Sequence, residues 1–129
     1  MAGVILEKTT QKFIDGLAKQ GGKPFYKMTP QAARKVLEDL QSSPIEKPAV
    51  KIEDQMLPCG PNGKVSVRIV RPQNGNGNRP VIMYFHGGGW ILGSKNTHDR
   101  LIREIAVGSN ANLVFVNFTP APEAQFPTQ

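Results

Sequence analysis

Cysteine and long hydrophobic runs are nearly absent from this sequence, and each absence excludes a class of protein. Cys59 is the single cysteine, so an intramolecular disulfide is impossible and a reducing compartment is favoured. The apolar run at residues 4–6 is followed by Glu7 and is too short for a signal peptide. No stretch approaches the length that crosses a membrane. We therefore expect a cytoplasmic protein with no transmembrane segment.

Basic residues are in excess, yet they form no tract. The 129-residue chain has 16 Lys and Arg against 10 Asp and Glu, which gives a formal net charge of +6. The positive residues are scattered and do not alternate with aromatic residues, as they would in a nucleic-acid interface. We therefore expect a solvated positive surface and no nucleic-acid partner. The length and a hydrophobic content of 39% suit one globular domain.

Apolar residues at helical spacing mark the first part of the chain. They predict a helix over residues 4–19, which Gly21 and Gly22 end. A second helix is predicted to begin after Thr29, a good N-cap, with Pro30 in the first helical position. We expect the apolar stripes of both helices to be packing faces. The alternative is that the helices form a lid over a site that lies elsewhere.

The middle of the chain predicts a β-hairpin. Alternating apolar residues over 64–71, and more weakly over 49–57, have the period of half-exposed strands. The Gly-Pro-Asn-Gly sequence at 60–63 supplies the turn between them. A flexible surface loop is predicted at 72–78.

A strand–helix–strand unit follows the hairpin. Continuous apolar residues at 81–85 and 113–116 predict two strands, the first of them buried on both faces. A helix is predicted between them from about Thr97 to Val107, with Gly108 at its end. The two strands should be parallel, because the helix forms the crossover connection that parallel strands need.

The sequence His-Gly-Gly-Gly-Trp at residues 86–90 directly follows the first of these strands. Consecutive glycines continue a strand poorly, but they provide bare backbone N–H groups in conformations that other residues rarely adopt. The loop lies at the carboxyl end of a strand, where open α/β sheets bind their ligands. The alternative is a tight turn that only joins the strand to the next helix.

These residues resemble the hormone-sensitive-lipase branch of the α/β-hydrolase fold. The loop at 86–90 is similar to the oxyanion-hole motif of that family's esterases and lipases. Residues 120–127 resemble its Ala-Pro-Glu…Phe-Pro segment, although Phe-Thr-Pro at 118–120 replaces the usual Tyr-Arg-Leu. The resemblance implies an α/β protein with an N-terminal helical cap segment at 1–47. Residues 48–129 would be the N-terminal part of the hydrolase core, truncated before the nucleophile elbow.

By this resemblance the chain would take part in the hydrolysis of a small-molecule carboxylic ester, without a metal or cofactor. The N–H groups of Gly87, Gly88 and Gly89 would form the oxyanion hole, which stabilises the negative charge on the ester oxygen. His86 would help to fix the loop rather than act as the catalytic base. Trp90 would line or back the site.

The catalytic triad of such an esterase is missing from these residues. No serine lies in a Gly-x-Ser-x-Gly sequence, so the nucleophile and its acid and histidine partners are expected beyond Gln129. His98, the only other histidine, is expected to have a surface or capping role. The isolated chain is predicted to be inactive. An open strand edge would pair with the missing C-terminal part of the catalytic domain or with a second chain.

Two other functions remain open. Residues 88–95 nearly match a phosphate-binding loop, but Ser94 precedes Lys95 where that motif needs the reverse order. The glycine spacing also differs from the dinucleotide-binding fingerprint. A catalytically dead hydrolase-fold protein that binds a ligand or a partner is the main alternative to an esterase.

Overall fold

The computed structural model describes residues 5–60, 63–73 and 77–129. Over these residues the chain has three α-helices, a short 3-10 helix at Phe25–Lys27 and four β-strands. The helices are α1 (Lys8–Gln20), α2 (Pro30–Gln41) and α3 (Asp99–Gly108). The strands are β1 (Val50–Leu57), β2 (Val65–Pro72), β3 (Val81–Phe85) and β4 (Asn112–Asn117). The predicted turn at 60–63 and loop at 72–78 each include positions outside the described residues.

The strands form one mixed sheet in the order β1-β2-β4-β3. The β1–β2 hairpin is antiparallel, and β4 pairs with β2 antiparallel and with β3 in parallel. The predicted hairpin and the predicted parallel strand–helix–strand unit are therefore both confirmed. Helix α3 packs on one face of the sheet, and the core there is formed by Val70, Ile102, Ala106, Leu113 and Phe115.

The helix ends follow local capping rules. The Glu7 carboxylate accepts hydrogen bonds from the amides of Thr9 and Thr10 at 2.9 and 3.0 Å, so α1 begins at Lys8 rather than at the predicted residue 4. Thr29 Oγ1 accepts from the amide of Ala32 at 3.3 Å, as predicted for the N-cap of α2. The predicted ends of both helices are also confirmed to within a few residues.

Helix α3 begins later than predicted. The amide of Ser94 donates to Thr97 Oγ1 at 2.9 Å, and the amide of Thr97 donates to Ser94 Oγ at 3.2 Å, so these residues form a separate turn. The helix therefore starts at Asp99. It ends at Gly108 as expected, but the left-handed residue that follows is Asn110, with a φ of 51°.

The prediction that β3 is buried on both faces is wrong for this chain. Ile82 and Tyr84 pack against the core under α3, but Val81, Met83 and Phe85 are 59%, 53% and 66% exposed. The reason is that α3 and the core cover one face of the strand, whereas no element of the described residues covers the other face. The sheet thus has an apolar face at its β3 edge.

The apolar stripe of α1 is also unpacked, contrary to the prediction. None of its residues is buried, and Phe13 is 60% exposed. Helix α2 buries only Ala33. Amphipathic spacing predicted both helices correctly, but it does not show whether the chain supplies a surface for them to cover. Among the described residues, no helix combines the length and the apolar character that crossing a bilayer requires.

Candidate functional site

The glycine loop, residues 86–94, begins where β3 ends, at the carboxyl edge of the sheet. His86 is buried, while Gly87, Gly88 and Gly89 are exposed. The loop turns through left-handed conformations, with φ of 125° at Gly88, 61° at Gly89 and 60° at Trp90. A left-handed φ at a residue as large as Trp90 is unusual and costs free energy. Its side chain is 67% exposed, so the predicted role of Trp90 in lining the site remains a prediction.

Two glycines of this loop are required for steric reasons. A Cβ at Gly88 would lie 2.0 Å from the carbonyl oxygen of Leu92. A Cβ at Gly93 would lie 2.5 Å from Nδ1 of His86 and 2.8 Å from the carbonyl oxygen of Gly87. By contrast, a Cβ at Gly87 meets nothing within 4 Å, and its φ is not left-handed. The close contacts at Gly88 and Gly93 show that the loop is folded tightly on itself.

The carbonyl groups of the loop hold its shape. The carbonyl of Gly88 accepts hydrogen bonds from the amides of Ile91 and Leu92 at 3.2 and 2.9 Å. The carbonyl of Trp90 accepts from the amide of Ala121, in the segment after β4, at 2.8 Å. The loop is therefore fixed both by an internal turn and by a neighbouring segment.

The amides at the start of the loop do not take part in holding its shape. Within the described part of the chain, the backbone amides of Gly87, Gly88 and Gly89 donate no hydrogen bond. Two hollows lie beside them. One, of about 310 Å³, is lined by Gly88, Gly89, Ile91 and Leu92 together with residues of the 3-10 helix and α2. The other, of about 480 Å³, is lined by Gly87, Gly88 and Gly93 with residues of α2 and α3. Exposed donors without partners at a concave surface are available to a ligand.

His86 is held in place by aromatic stacking. Its ring lies parallel to the Phe118 ring at 4.4 Å between centroids, and parallel to the Phe115 ring at 5.2 Å. Its Nδ1 is 2.7 Å from the carbonyl oxygen of Gly87. Because a carbonyl only accepts, Nδ1 carries the hydrogen and donates it. This arrangement supports the predicted role of His86 in fixing the loop.

The side chain of His98 occupies a different place from the one predicted. His98 is the N-cap residue of α3, but its side chain makes no capping hydrogen bond. Instead its ring is half-buried against the His86, Phe115 and Tyr84 rings, at 5.2, 6.0 and 6.1 Å. Burial, together with the nearby His86, lowers the pKa of His98. The neutral ring therefore belongs to the aromatic cluster behind the loop.

The residue that the sequence analysis missed is Arg34 of α2. Its Nε donates to the carbonyl of Ile91 at 2.8 Å, and its Nη2 donates to the carbonyl of Ala121 at 2.7 Å. The same guanidinium forms a two-bond ion pair with Glu123, with distances of 2.7 and 2.8 Å. A single arginine in an amphipathic helix carries no sequence signal for such contacts. Among the described residues, no group of His, Cys, Asp and Glu could hold a metal ion.

The ion pair predicts an unusual titration. The hydrogen bonds from Arg34 lower the pKa of Glu123 from 4.5 to about 2. Since the pKa is depressed in the folded chain, the pair stabilises the fold fully above about pH 4.5 and is lost as the pH falls towards 2. An NMR titration of the Glu123 carboxyl should show this low pKa, and Arg34→Gln should return it towards 4.5. A Glu123 pKa that Arg34→Gln leaves unchanged would contradict the pairing.

Comparison with known proteins gives consistent relatives. A family model described as an α/β-hydrolase fold matches residues 82–129. A protein of Acanthamoeba polyphaga mimivirus, whose name assigns it to the alpha/beta hydrolases, is 38% identical over 96% of this chain and 34% of its own length. The carboxylesterase NlhH of Mycobacterium tuberculosis is 37% identical over 75% of this chain and 30% of its own length.

Solved structures agree with these sequence relatives. A thermostable esterase from Pseudomonas putida ECU1011 superposes with a TM-score of 0.90 and 39% identity, over 99% of this chain and 40% of that esterase. The chain thus spans 30% to 40% of the length of these relatives.

Proposed function

We propose that this chain supplies the oxyanion hole of a carboxylic-ester hydrolase. The reason is that it belongs to the esterase-type α/β-hydrolase family and corresponds to the N-terminal part of that fold. The proposal rests on a difference between the carbonyl and amide groups of the glycine loop. Its carbonyls at Gly88 and Trp90 are hydrogen-bonded, whereas the amides of Gly87, Gly88 and Gly89 donate to nothing in the described chain and border two hollows.

The mechanism follows from where charge develops during ester hydrolysis. Attack on the ester carbonyl places negative charge on its oxygen, and amides that are already aimed at that oxygen stabilise it without reorganising. Gly87, Gly88 and Gly89 donate these hydrogen bonds. We assign His86 to holding the loop rather than to the base, because its ring is buried and stacked between the Phe115 and Phe118 rings. The substrate is a small-molecule ester.

The attacking nucleophile lies in the part of the fold that the relatives have beyond the region matched by this chain. The sequence has no Gly-x-Ser-x-Gly, which is the context of the nucleophile in this fold. A serine, an acid and a histidine would complete the site at the carboxyl edge of the sheet. The 129 residues alone are therefore inactive, and the oxyanion hole works only with that remainder. The single cysteine supports a cytoplasmic location.

A p-nitrophenyl acetate assay tests this assignment. The chain alone should hydrolyse the ester at the background rate. Turnover should appear in a hybrid esterase, in which this chain replaces the part of the P. putida esterase that it superposes on and the remainder of that esterase follows. Turnover by the chain alone that a serine-directed phosphonate abolishes would contradict the proposal, because the nucleophile would then lie within these residues.

The open edge of β3 is the proposed contact for the remainder of the fold. Its exposed side chains, Val81, Met83 and Phe85, form an apolar face beside a strand edge that pairs with no strand of the described residues. Such an edge pairs with another strand when one is available. Without that remainder we expect the chain to self-associate and to bind a hydrophobic dye during size-exclusion chromatography. A compact monomer that binds no dye would be the contrary result.

A further inference from the structure

We propose that Arg34 is a positioning residue for the glycine loop, an inference that rests on the proposed function of that loop. Arg34 binds a carbonyl of the loop, that of Ile91, and not the amides of Gly87, Gly88 or Gly89. Its guanidinium joins α2 to the carbonyl of Ile91 in the loop and to Ala121 and Glu123 in the segment after β4. These three parts of the chain are far apart in sequence, and one side chain holds them together.

The contact geometry needs a guanidinium. Arginine presents five donors in a rigid planar fork, so it can bind a carboxylate with two hydrogen bonds and still reach two carbonyls. The side chain of Arg34 is only 24% exposed, which protects these bonds from water. A lysine keeps the charge and the attraction to Glu123. Its single ammonium cannot make this set of bonds.

Helix α2 holds the loop at a second point, one helical turn further on. The Ser94 hydroxyl donates to the carboxylate of Glu38. Residues four apart lie on the same face of a helix, so Arg34 and Glu38 point the same way. They bind the loop at Ile91 and at Ser94, on either side of Gly93, where an added Cβ would clash with the His86 ring.

These polar contacts attach α2 to the loop and to the segment after β4. Only Ala33 of the helix is buried, so little apolar area fixes its position. The Trp90 carbonyl meets the amide of Ala121 at 2.8 Å, beside the carbonyl of Ala121 that Arg34 binds. Loss of Arg34 would therefore loosen the turn from Gly88 to Ile91 and its contact with residue 121 together.

Amide hydrogen exchange on the chain itself tests this positioning role. The amides of Leu92 and Ala121 are hydrogen-bonded within the loop and to it. Arg34→Gln and Arg34→Lys should both speed their exchange by about tenfold, which corresponds to one hydrogen bond with a charged donor. The control is Arg100→Gln, which removes an exposed arginine whose ion pair with Glu104 is long, at 3.6 Å, and should change neither amide.

The lysine variant separates geometry from charge. If the exchange rates of Arg34→Lys equal those of the unsubstituted chain, an ion pair with Glu123 is enough to hold the loop and the proposal is wrong. Exchange that Arg34→Gln leaves unchanged also overturns it. The proposal is also wrong if the amides of Leu92 and Ala121 exchange without protection in the unsubstituted chain, because Arg34 then orders no loop.

Kinetics of the hybrid esterase give a second, separate readout. With active sites counted by phosphonate labelling, Arg34→Gln should lower kcat about tenfold and leave KM within about twofold, because the oxyanion forms only in the transition state. A rise in KM at unchanged kcat would overturn the positioning role. If the unsubstituted hybrid esterase shows no turnover, the proposed function fails, and the exchange rates still decide the role of Arg34.

Discussion

Gly88→Ala should lower kcat of the hybrid esterase by about a hundredfold or more, the effect of losing one oxyanion-hole donor. The added Cβ would lie 2.0 Å from the carbonyl oxygen of Leu92, which is rigid backbone. Gly88 also has a φ of 125°, which an alanine rarely adopts. The turn must therefore open, and the amides of Gly88 and Gly89 move away from the oxygen that they stabilise.

Gly87→Ala is the matched control for this substitution. A Cβ there meets nothing within 4 Å and requires no left-handed backbone, and alanine retains the N–H. Its kcat should stay within about threefold of the unsubstituted hybrid, since less than 1 kcal/mol is at stake. Rates should be expressed for each serine that reacts with a phosphonate, so that misfolded enzyme is not counted. Equal rates for the two variants would show that the shape of the turn at Gly88 does not matter.

Phe115→Ala should destabilise the chain by about 3–5 kcal/mol, the usual cost of removing a buried phenylalanine ring. Phe115 has no exposed surface. Its ring stacks on Tyr84 at 5.8 Å and on His86 at 5.2 Å, so it joins the core under α3 to the start of the glycine loop. Because small domains are stable by only about 5–15 kcal/mol, a loss of this size should move the urea midpoint of unfolding to a much lower concentration.

Phe13→Ala is the control for that loss. Phe13 lies on α1 and is 60% exposed, so its removal should change the free energy of unfolding by no more than about 0.5 kcal/mol. Urea unfolding followed by circular dichroism measures both variants. A shared midpoint for Phe115→Ala and Phe13→Ala would mean that Phe115 is not a core residue of this chain.

Much of this architecture could be predicted because its signals are local. Thr29 followed by Pro30 starts a helix by a hydrogen bond and a fixed φ, wherever the helix lies. The apolar run at 81–85, the helix after it and the run at 113–116 similarly determine a parallel pair. The glycine loop was recognisable because three consecutive glycines and a histidine form a rare sequence at the end of a strand.

The predictions that were wrong concern which neighbours cover each helix or strand. The residues of β3 are apolar on both faces, but only one face meets α3, and burial depends on the neighbours that a chain provides. The stripe on α1 is exposed for the same reason. Arg34 could not be predicted, because its partners Ile91 and Glu123 come from segments with no shared periodicity. His98 joined the aromatic cluster through the same kind of distant contact.

A crystal structure of the hybrid esterase after reaction with a serine-directed phosphonate would show whether the loop amides bind the oxyanion. The phosphoryl oxygen then stands in for the oxyanion of the ester. We expect this oxygen to lie about 2.7–3.1 Å from at least two of the amide nitrogens of Gly87, Gly88 and Gly89, the range in which oxyanion-hole donors act. A phosphoryl oxygen bound only by water, or loop amides turned into hydrogen bonds within the protein, would contradict it.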